Sequence, residues 1–374
     1  MNNKFLHTTL ILLILFFGCQ KQRNNHLKEM GEVKIIDFNS FKKIETEDIY
    51  QYTTKQKKYI KLDNSCDDFL FKGIDKIKIL GERIYILDRK LKKLIVFDIR
   101  GKGIGTVGKR GQGPQEYLQI SDFAVSNSGN IYFIDGTLGE SKLFVFDKDL
   151  HFISLKKMPF EADIIHCLTN GKLLFGLSSW NQGKNAQNKI IRTNEDGNVE
   201  QSYLQYDKYV DNAYWISFYM FVETEDAILY NKQIDNHVYQ FSLSGNLLKS
   251  YYFDFGRQNV PNEDKMNIER DLDKFKQYCC LKDFAIITDK YIAGTIWDKT
   301  QSKNFIIDLD KQTMYLSKEI ASSDISNMAN YYDNQIISFI YPGKYDDSQL
   351  GDFPQDIKKH VEEDNFVLCL NKLK

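Results

Sequence analysis

With 374 residues, 42% of them hydrophobic and 14% aromatic, the chain exceeds the roughly 250–300 residues that one continuous core serves, so it holds two domains or repeats a smaller unit. Lys and Arg number 50 against 51 Asp and Glu, a formal charge of -1, which lacks the basic excess of a nucleic-acid binder. The 22 Tyr and 26 Phe beside only 5 Pro favour strands and leave no proline-rich linker, so all-β is the leading class.

The first residues read as a targeting segment. Lys4 precedes an apolar run at residues 8–17 (TTLILLILFF), shorter than the about 20 residues that a spanning helix needs. Gly18-Cys19 closes the run and is similar to a lipobox, which implies cleavage and lipidation of Cys19. An ordinary secretion signal with an incidental cysteine is the alternative. Residues 1–19 are therefore expected to be a lipoprotein signal peptide and residues 20–32 a polar tether. Several acyl chains hold a protein to a membrane where one binds only marginally. Gln20, Lys21, Gln22 and Arg23 carry no acidic run, which favours an outer-membrane lipoprotein facing the periplasm over one displayed at the surface.

From Val33 to Lys374, short β-prone runs alternate with turn residues. Ile84-Tyr85-Ile86-Leu87-Asp88 and Leu94-Ile95-Val96-Phe97-Asp98 recur as Ile131-Tyr132-Phe133-Ile134-Asp135 and Leu143-Phe144-Val145-Phe146-Asp147, offset by 47–49 residues. Ile77-Lys78-Ile79-Leu80 and Phe123-Ala124-Val125 are the inner strands of these two copies. A period of about 40–50 residues holding four short strands is the signature of a propeller blade.

Weaker copies follow: Leu173-Leu174-Phe175 with Ile190-Ile191, Ile228-Leu229-Tyr230 with Val238-Tyr239-Gln240-Phe241, Tyr291-Ile292-Ala293 with Phe305-Ile306-Ile307, and Ile336-Ile337-Ser338-Phe339 with Phe366-Val367-Leu368. The sixth copy lacks an outer strand. Tyr59-Ile60-Lys61-Leu62 is free to supply it, closing a six-bladed β-propeller between the chain's two ends.

Residues 262–278 carry Ile268, Leu272 and Phe275 at helical spacing, and Ile357 and Val361 stand in register after Pro354. Both stretches read as short helical insertions that cover a blade, with a lid or partner surface as the alternative. Without Cys19, the cysteines Cys66, Cys167, Cys279, Cys280 and Cys369 form no C-x-x-C, so zinc-ribbon and thioredoxin sites lack their spacing.

Gly111-Gln112-Gly113-Pro114-Gln115-Glu116-Tyr117, with the Tyr-Ile-Leu-Asp and Val-Phe-Asp runs around it, resembles the six-bladed β-propeller lipoprotein family related to NHL and TolB-like propellers of Gram-negative bacteria. Members carry a G-x-G-P-x-E-Y-like loop after the first blade. The resemblance extends over residues 33–374 and is sharpest over 77–160. It implies the propeller, export and an association with outer-membrane nutrient uptake, but no agreed biochemical activity.

The motifs hold no catalytic constellation. Gly103-Ile104-Gly105-Thr106-Val107-Gly108 is a literal G-x-G-x-x-G, yet Lys109-Arg110-Gly111-Gln112-Gly113-Pro114 behind it cannot open the helix a dinucleotide requires, so no cofactor is expected. Asp88, Asp98, Asp135 and Asp147 end strands and read as turn caps, with an inward ring of cation-binding carboxylates as the alternative. The loop at Gly111–Tyr117 reads as a latch between blades. Its alternative places Arg110, Gln112 and Glu116 at the channel mouth as ligand contacts. His151, His166, His237 and His360 stand alone in sequence and read as packing or surface residues.

Trp180, Trp215, Trp297 and Tyr219 fall in or beside predicted connections, where a flat ring with a polar edge suits sugars and peptides. The expected function is a lipid-anchored, non-catalytic ligand-binding or scaffold protein of the cell envelope, taking carbohydrate or peptide. One alternative is a metal-dependent propeller hydrolase or lyase using channel carboxylates. The other is an interaction subunit of an envelope complex.

Overall fold

The structure, a computed structural model, describes residues 32–137, 140–177, 181, 185, 187–205, 220–231, 234, 236–265, 268, 271–318, 327–343, 345 and 353–374. Six small sheets stand in a ring as a six-bladed β-propeller. Blade one is the meander Lys76–Leu80, Arg83–Asp88, Lys93–Asp98 and Gly103–Thr106, counted from the axis outward. Blade two runs Asp122–Val125, Ile131–Thr137, Glu140–Phe146, Phe152–Lys157, and blade three Ala162–Cys167, Leu173–Leu177, Asn188–Thr193, Val199–Gln205. Blade four comprises Phe221–Glu223, Ala227–Asn231, His237–Ser242 and Leu247–Asp254, and blade five Cys279–Ile287, Tyr291–Asp298, Gln301–Asp308 and Thr313–Ser317.

Blade six is Asn327–Tyr332, Gln335–Ile340 and Val367–Leu373, with Thr54–Lys61 as its outer strand. Ile60 pairs with Leu368 and Tyr59 with Cys369, so the closure expected from Tyr59-Ile60-Lys61-Leu62 is present. The chain's beginning reaches further than that expectation. Glu32–Asp37 adds a fifth, parallel strand to blade four beside Leu247–Asp254. Lys42–Thr46 does the same for blade five beside Thr313–Ser317.

The core lies in the seams between blades, which explains why the strands read as continuous apolar runs rather than alternating ones. In Arg83–Asp88, Ile84 and Ile86 pack toward blade six with Ile60 and Leu368. Tyr85 and Leu87 pack toward blade two with Phe123, Phe133 and Phe144. Successive side chains leave opposite faces of a strand, and here both faces are covered.

Strand-end aspartates punctuate the blades as expected. Asp88 is fully buried and accepts the Leu91 amide at 2.8 Å and the Lys72 amide at 2.6 Å. Asp98 accepts those of Arg100 and Lys102, Asp135 that of Leu118, and Asp147 those of Asp149 and His151. The helical stretches cover apolar surface. Ile268 and Phe275 bury with Ile234, Val260 and Cys280, while the helix Gln355–Glu362 sets Ile357 and Val361 against Ile340, Val367 and Cys369. Among the described residues no helix is long and apolar enough to cross a membrane.

Candidate functional site

Among the described residues, polar side chains gather at the axis and along a groove on the outer flank between blades one and two. At the axis, the strand Lys76–Leu80 alternates lysine with buried isoleucine, which sends Lys76 and Lys78 to one face. The Lys76 ammonium lies 2.8 Å from Asp122 Oδ1 and donates to the carbonyls of Phe123 at 2.8 Å and Ile165 at 3.5 Å. One side chain thereby joins blades one, two and three. Asp122 Oδ2 also accepts the Ile165 amide at 2.8 Å.

Lys78 reaches across the ring and donates to Glu223 of blade four. His166 Nε2 stands 3.4 Å from the same Glu223 oxygen. Burial would push the Glu223 carboxyl up, but the hydrogen bond and charge of His166 and the Lys78 ammonium outweigh it and hold the group at about 2. Burial lowers His166 from the usual histidine range against the pull of Glu223. It also lowers Lys76, with Asp122 opposing. Asn330 of blade six donates to the Ile77 carbonyl, and the Tyr331 hydroxyl donates to Glu225 of blade four at 2.9 Å.

A carboxylate shared by a histidine and an ammonium has the makings of acid–base chemistry. Among the described residues the space beside it is small. The cavity lined by Lys76, Lys78, His166, Glu223 and Asn330 measures about 20 Å³, near the minimum of about 10–15 Å³ for a single water. Asp122 and Glu223 are engaged by lysines, and among the described residues no three His, Cys, Asp or Glu side chains converge as a metal site. The geometry is that of an ionic tie between blades.

The outer groove is larger, about 590 Å³. Phe146, Leu150 and Phe152 of blade two form its apolar floor, with the two Phe rings edge to face at 5.7 Å. Thr106 and the loop from Lys109 to Glu116 form its polar wall. Gly108, at φ 70°, lies so near the floor that a Cβ there would meet the Phe146 ring at 2.9 Å, so the chain needs glycine at this point.

The same loop is a latch. Glu116 accepts the Gly113 amide at 2.9 Å and faces Lys109 at 3.0 Å, and these two partners hold its carboxyl below the usual range. Tyr117 is buried against Phe133 at 5.2 Å and donates its hydroxyl to the Lys92 carbonyl at 3.1 Å. Arg110 and Gln112 are exposed on this loop. The structure thus brings Glu116 to the outer groove and leaves it out of the axial cavity lining.

Trp297 sits elsewhere, on Tyr291–Asp298 of blade five, edge-on to Phe275 at 6.3 Å with the Lys282 ammonium 4.8 Å over its ring. Trp180, Trp215 and Tyr219 lie outside the described residues. Sequence reasoning missed Lys76, Lys78, Asp122, His166 and Glu223. His166 stands alone in sequence because its partners come from blades one and four. A lysine alternating with isoleucine inside an inner strand was the available signal, since a lysine covered on all sides needs a counter-charge.

The fold is similar to a crystal structure from Bacteroides fragilis NCTC 9343, of a protein predicted to be exported. The TM-score is 0.72 at 18% identity, covering 91% of this chain and 100% of that one. That likeness speaks for the fold. Virginiamycin B lyase of Staphylococcus aureus aligns with a TM-score of 0.44 and 12% identity over 84% of this chain and 99% of that one. A protein of unknown function from Bacteroides caccae aligns with 0.34 and 12% over 75% and 86%. Neither of these two carries a functional argument. No curated protein matches the sequence. Residues 33–372 match the sequence model of the family described as "Domain of unknown function (DUF4934)", and the chain belongs to that family.

Proposed function

We propose that the chain is an exported, lipid-anchored β-propeller of the cell envelope that binds a carbohydrate or peptide without transforming it. The observation that carries this reading is the contrast between the two polar places. Among the described residues the axial cavity measures about 20 Å³, room for about one water, whereas the flank groove of about 590 Å³ falls within the roughly 300–1,000 Å³ of small-ligand sites. An aromatic floor with a polar wall suits a sugar face or a peptide side chain. Export and anchoring rest on the signal-like run at residues 8–17 and on Cys19. A periplasm-facing outer-membrane position and kinship with NHL and TolB-like lipoproteins belong to the same reading.

Two measurements test it. Cys19→Ala should move the protein from the detergent phase to the aqueous phase on phase separation of cell extracts; an unmoved variant removes the anchor. An oligosaccharide and peptide array should yield a binder that loses affinity on Phe152→Ala with Glu116→Gln. If the triple change of Trp180, Trp215 and Trp297 to Ala abolishes binding while the groove variant keeps it, the site belongs to the tryptophans.

A further inference from the structure

Among the described residues the last strand of blade three is Val199–Gln205, whereas blade four carries Glu32–Asp37 one strand further out. The outer part of blade four therefore stands clear of its neighbour on that side. Successive residues of a strand alternate faces. Ile36 and its partner Phe253 turn to the core shared by blades four to six, so Val33 and Ile35, with their partners Ser250 and Tyr252, turn toward blade three. Tyr239, opposite Ser250, packs in the seam with blade three in accord with this. Ile35 is 67% exposed there, and Leu248, two positions before Ser250, 50%. Of the described large hydrophobic side chains only Ile153 of blade two is exposed to a similar degree.

This apolar step lies where the chain enters the fold. Residues 20–32 join it to Cys19 and span at most about 45 Å when fully extended. A compact domain of this length is about 50 Å across. With Cys19 held at a bilayer, the ring cannot stand on the rim of blade one, three blades away from Glu32, because Glu32 would then lie beyond the reach of its own tether. The rim of blade four is the near side. Residues 20–34 hold four Lys or Arg against two Glu, in a chain of formal charge -1, so the stretch nearest the anchor favours anionic headgroups.

We propose that the propeller rests edge-on against an anionic phospholipid bilayer through this step, with Ile35 and Leu248 among the acyl chains and the exposed Lys34 at the headgroups. This inference rests on the lipid-anchor reading above and adds an orientation to it. Exposed apolar side chains beside basic ones are what an interfacial contact with lipid uses. The acyl chains of the anchor hold the protein to the membrane, and the step turns it. Blades one and two then lie on the far side of the ring, and the groove between them opens away from the membrane.

The test places a polarity-sensitive dye on Ile35→Cys, in the full chain carrying Cys66→Ser to remove the exposed thiol. The lipidated protein is reconstituted into vesicles of phosphatidylethanolamine and phosphatidylglycerol, and the parent without the new cysteine gives the background. The label at position 35 should shift to the blue and lose most of its emission to doxyl-labelled lipid, while a label on Ile153→Cys, 51% exposed on blade two, should do neither. Leu248→Cys should report as position 35 does, and adding Ile35→Asp should return that label to water with Tm unchanged. A label at position 35 as aqueous as that at 153, or both quenched alike, overturns the proposal while the anchor stands. A label shielded from water but untouched by doxyl lipid also overturns it: a doubled mass in detergent then assigns the step to a second copy, and shielding already present in lipid-free Cys19→Ala protein assigns it to the chain itself. If Cys19 carries no acyl groups, the anchor reading falls and this orientation falls with it.

Discussion

Blades four to six and blades one to three share one strand plan but are fastened in different places. Blades four, five and six are joined at the rim, where the chain's first residues pass from one to the next as Glu32–Asp37, Lys42–Thr46 and Thr54–Lys61. Blades one, two and three are joined at the axis, where the Lys76 ammonium touches Asp122 and the carbonyls of Phe123 and Ile165. The rim fastening uses backbone ladders and is distributed. The axial one is a single buried charge pair and is concentrated. A ring can thus close either by adding strands at its edge or by drawing inner strands onto one ion.

The largest expected effect follows from the concentrated fastening. Lys76→Met removes the ammonium and leaves Asp122, fully buried, as an uncompensated charge; breaking such a pair costs about 3–5 kcal/mol. Lys76→Met with Asp122→Asn should recover most of that loss, because replacing both charges is far milder than orphaning one. Urea melts of the two single variants and the double would measure it. A double variant as unstable as Lys76→Met would show that shape, not charge, joins these blades.

At the rim the loss should be somewhat smaller and depend on which way a side chain points. Ile60 is 2% exposed in the closing strand and packs with Ile84, Ile86 and Leu368, so Ile60→Ala should cost about 2–5 kcal/mol. Ile35, 67% exposed on blade four, should change stability by less than about 0.5 kcal/mol when made Ala. Comparable losses at both positions would mean that the outer parallel strand carries more of the fold than its exposure indicates.

Much of this architecture was legible in the sequence, and the boundary of legibility has a physical cause. Ile84-Tyr85-Ile86-Leu87-Asp88 and its copy announce a blade because a strand covered on both faces must be apolar throughout and needs an Asp where it turns. Closure by Tyr59-Ile60-Lys61-Leu62 followed from counting strands. The parallel pairing of Glu32–Asp37 with Leu247–Asp254 did not follow, since an added edge strand carries no local mark of its distant partner. The axial ties were hidden for the same reason: Lys78, His166 and Glu223 meet only because three blades converge. The loop from Gly111 to Tyr117 was read as a latch from its glycines, proline and acid, and that reading is local enough to survive folding.

Acid should next separate the two halves, because Lys78, His166 and Glu223 join blade one and blade three to blade four. Glu223 is lowered from 4.5 to about 2, so its contribution is complete above about 4.5 and is lost as pH falls through about 2. His166 is lowered from 6.5 by burial; the unfolded chain takes up that proton first, so stability also falls as pH drops below 6.5. The Glu223 loss should be of the order of 2 kcal/mol after allowance for the solvent that reaches it, and His166 adds to it in the same direction. Glu223→Gln should flatten the profile between about pH 4.5 and 2. A profile unchanged by that substitution would place the acid sensitivity elsewhere.

The smallest effect should come from the latch between blades one and two. Tyr117 contributes in two separable ways: a ring packed on Phe133 and Phe144, and a hydroxyl bonded to the Lys92 carbonyl. Tyr117→Phe keeps the ring and deletes the bond, which should cost about 1 kcal/mol. Tyr117→Leu also disturbs the aromatic contact and should cost more. The informative readout is local: amide exchange at Leu118, whose amide is held by the buried Asp135, should quicken in Tyr117→Phe while exchange in Thr54–Lys61 stays as it was. Exchange quickening at both would mean that the latch and the rim answer to one global opening. The axial fastening would then fail to isolate blades one to three from the chain's closure, and the distinction between the two halves would not survive.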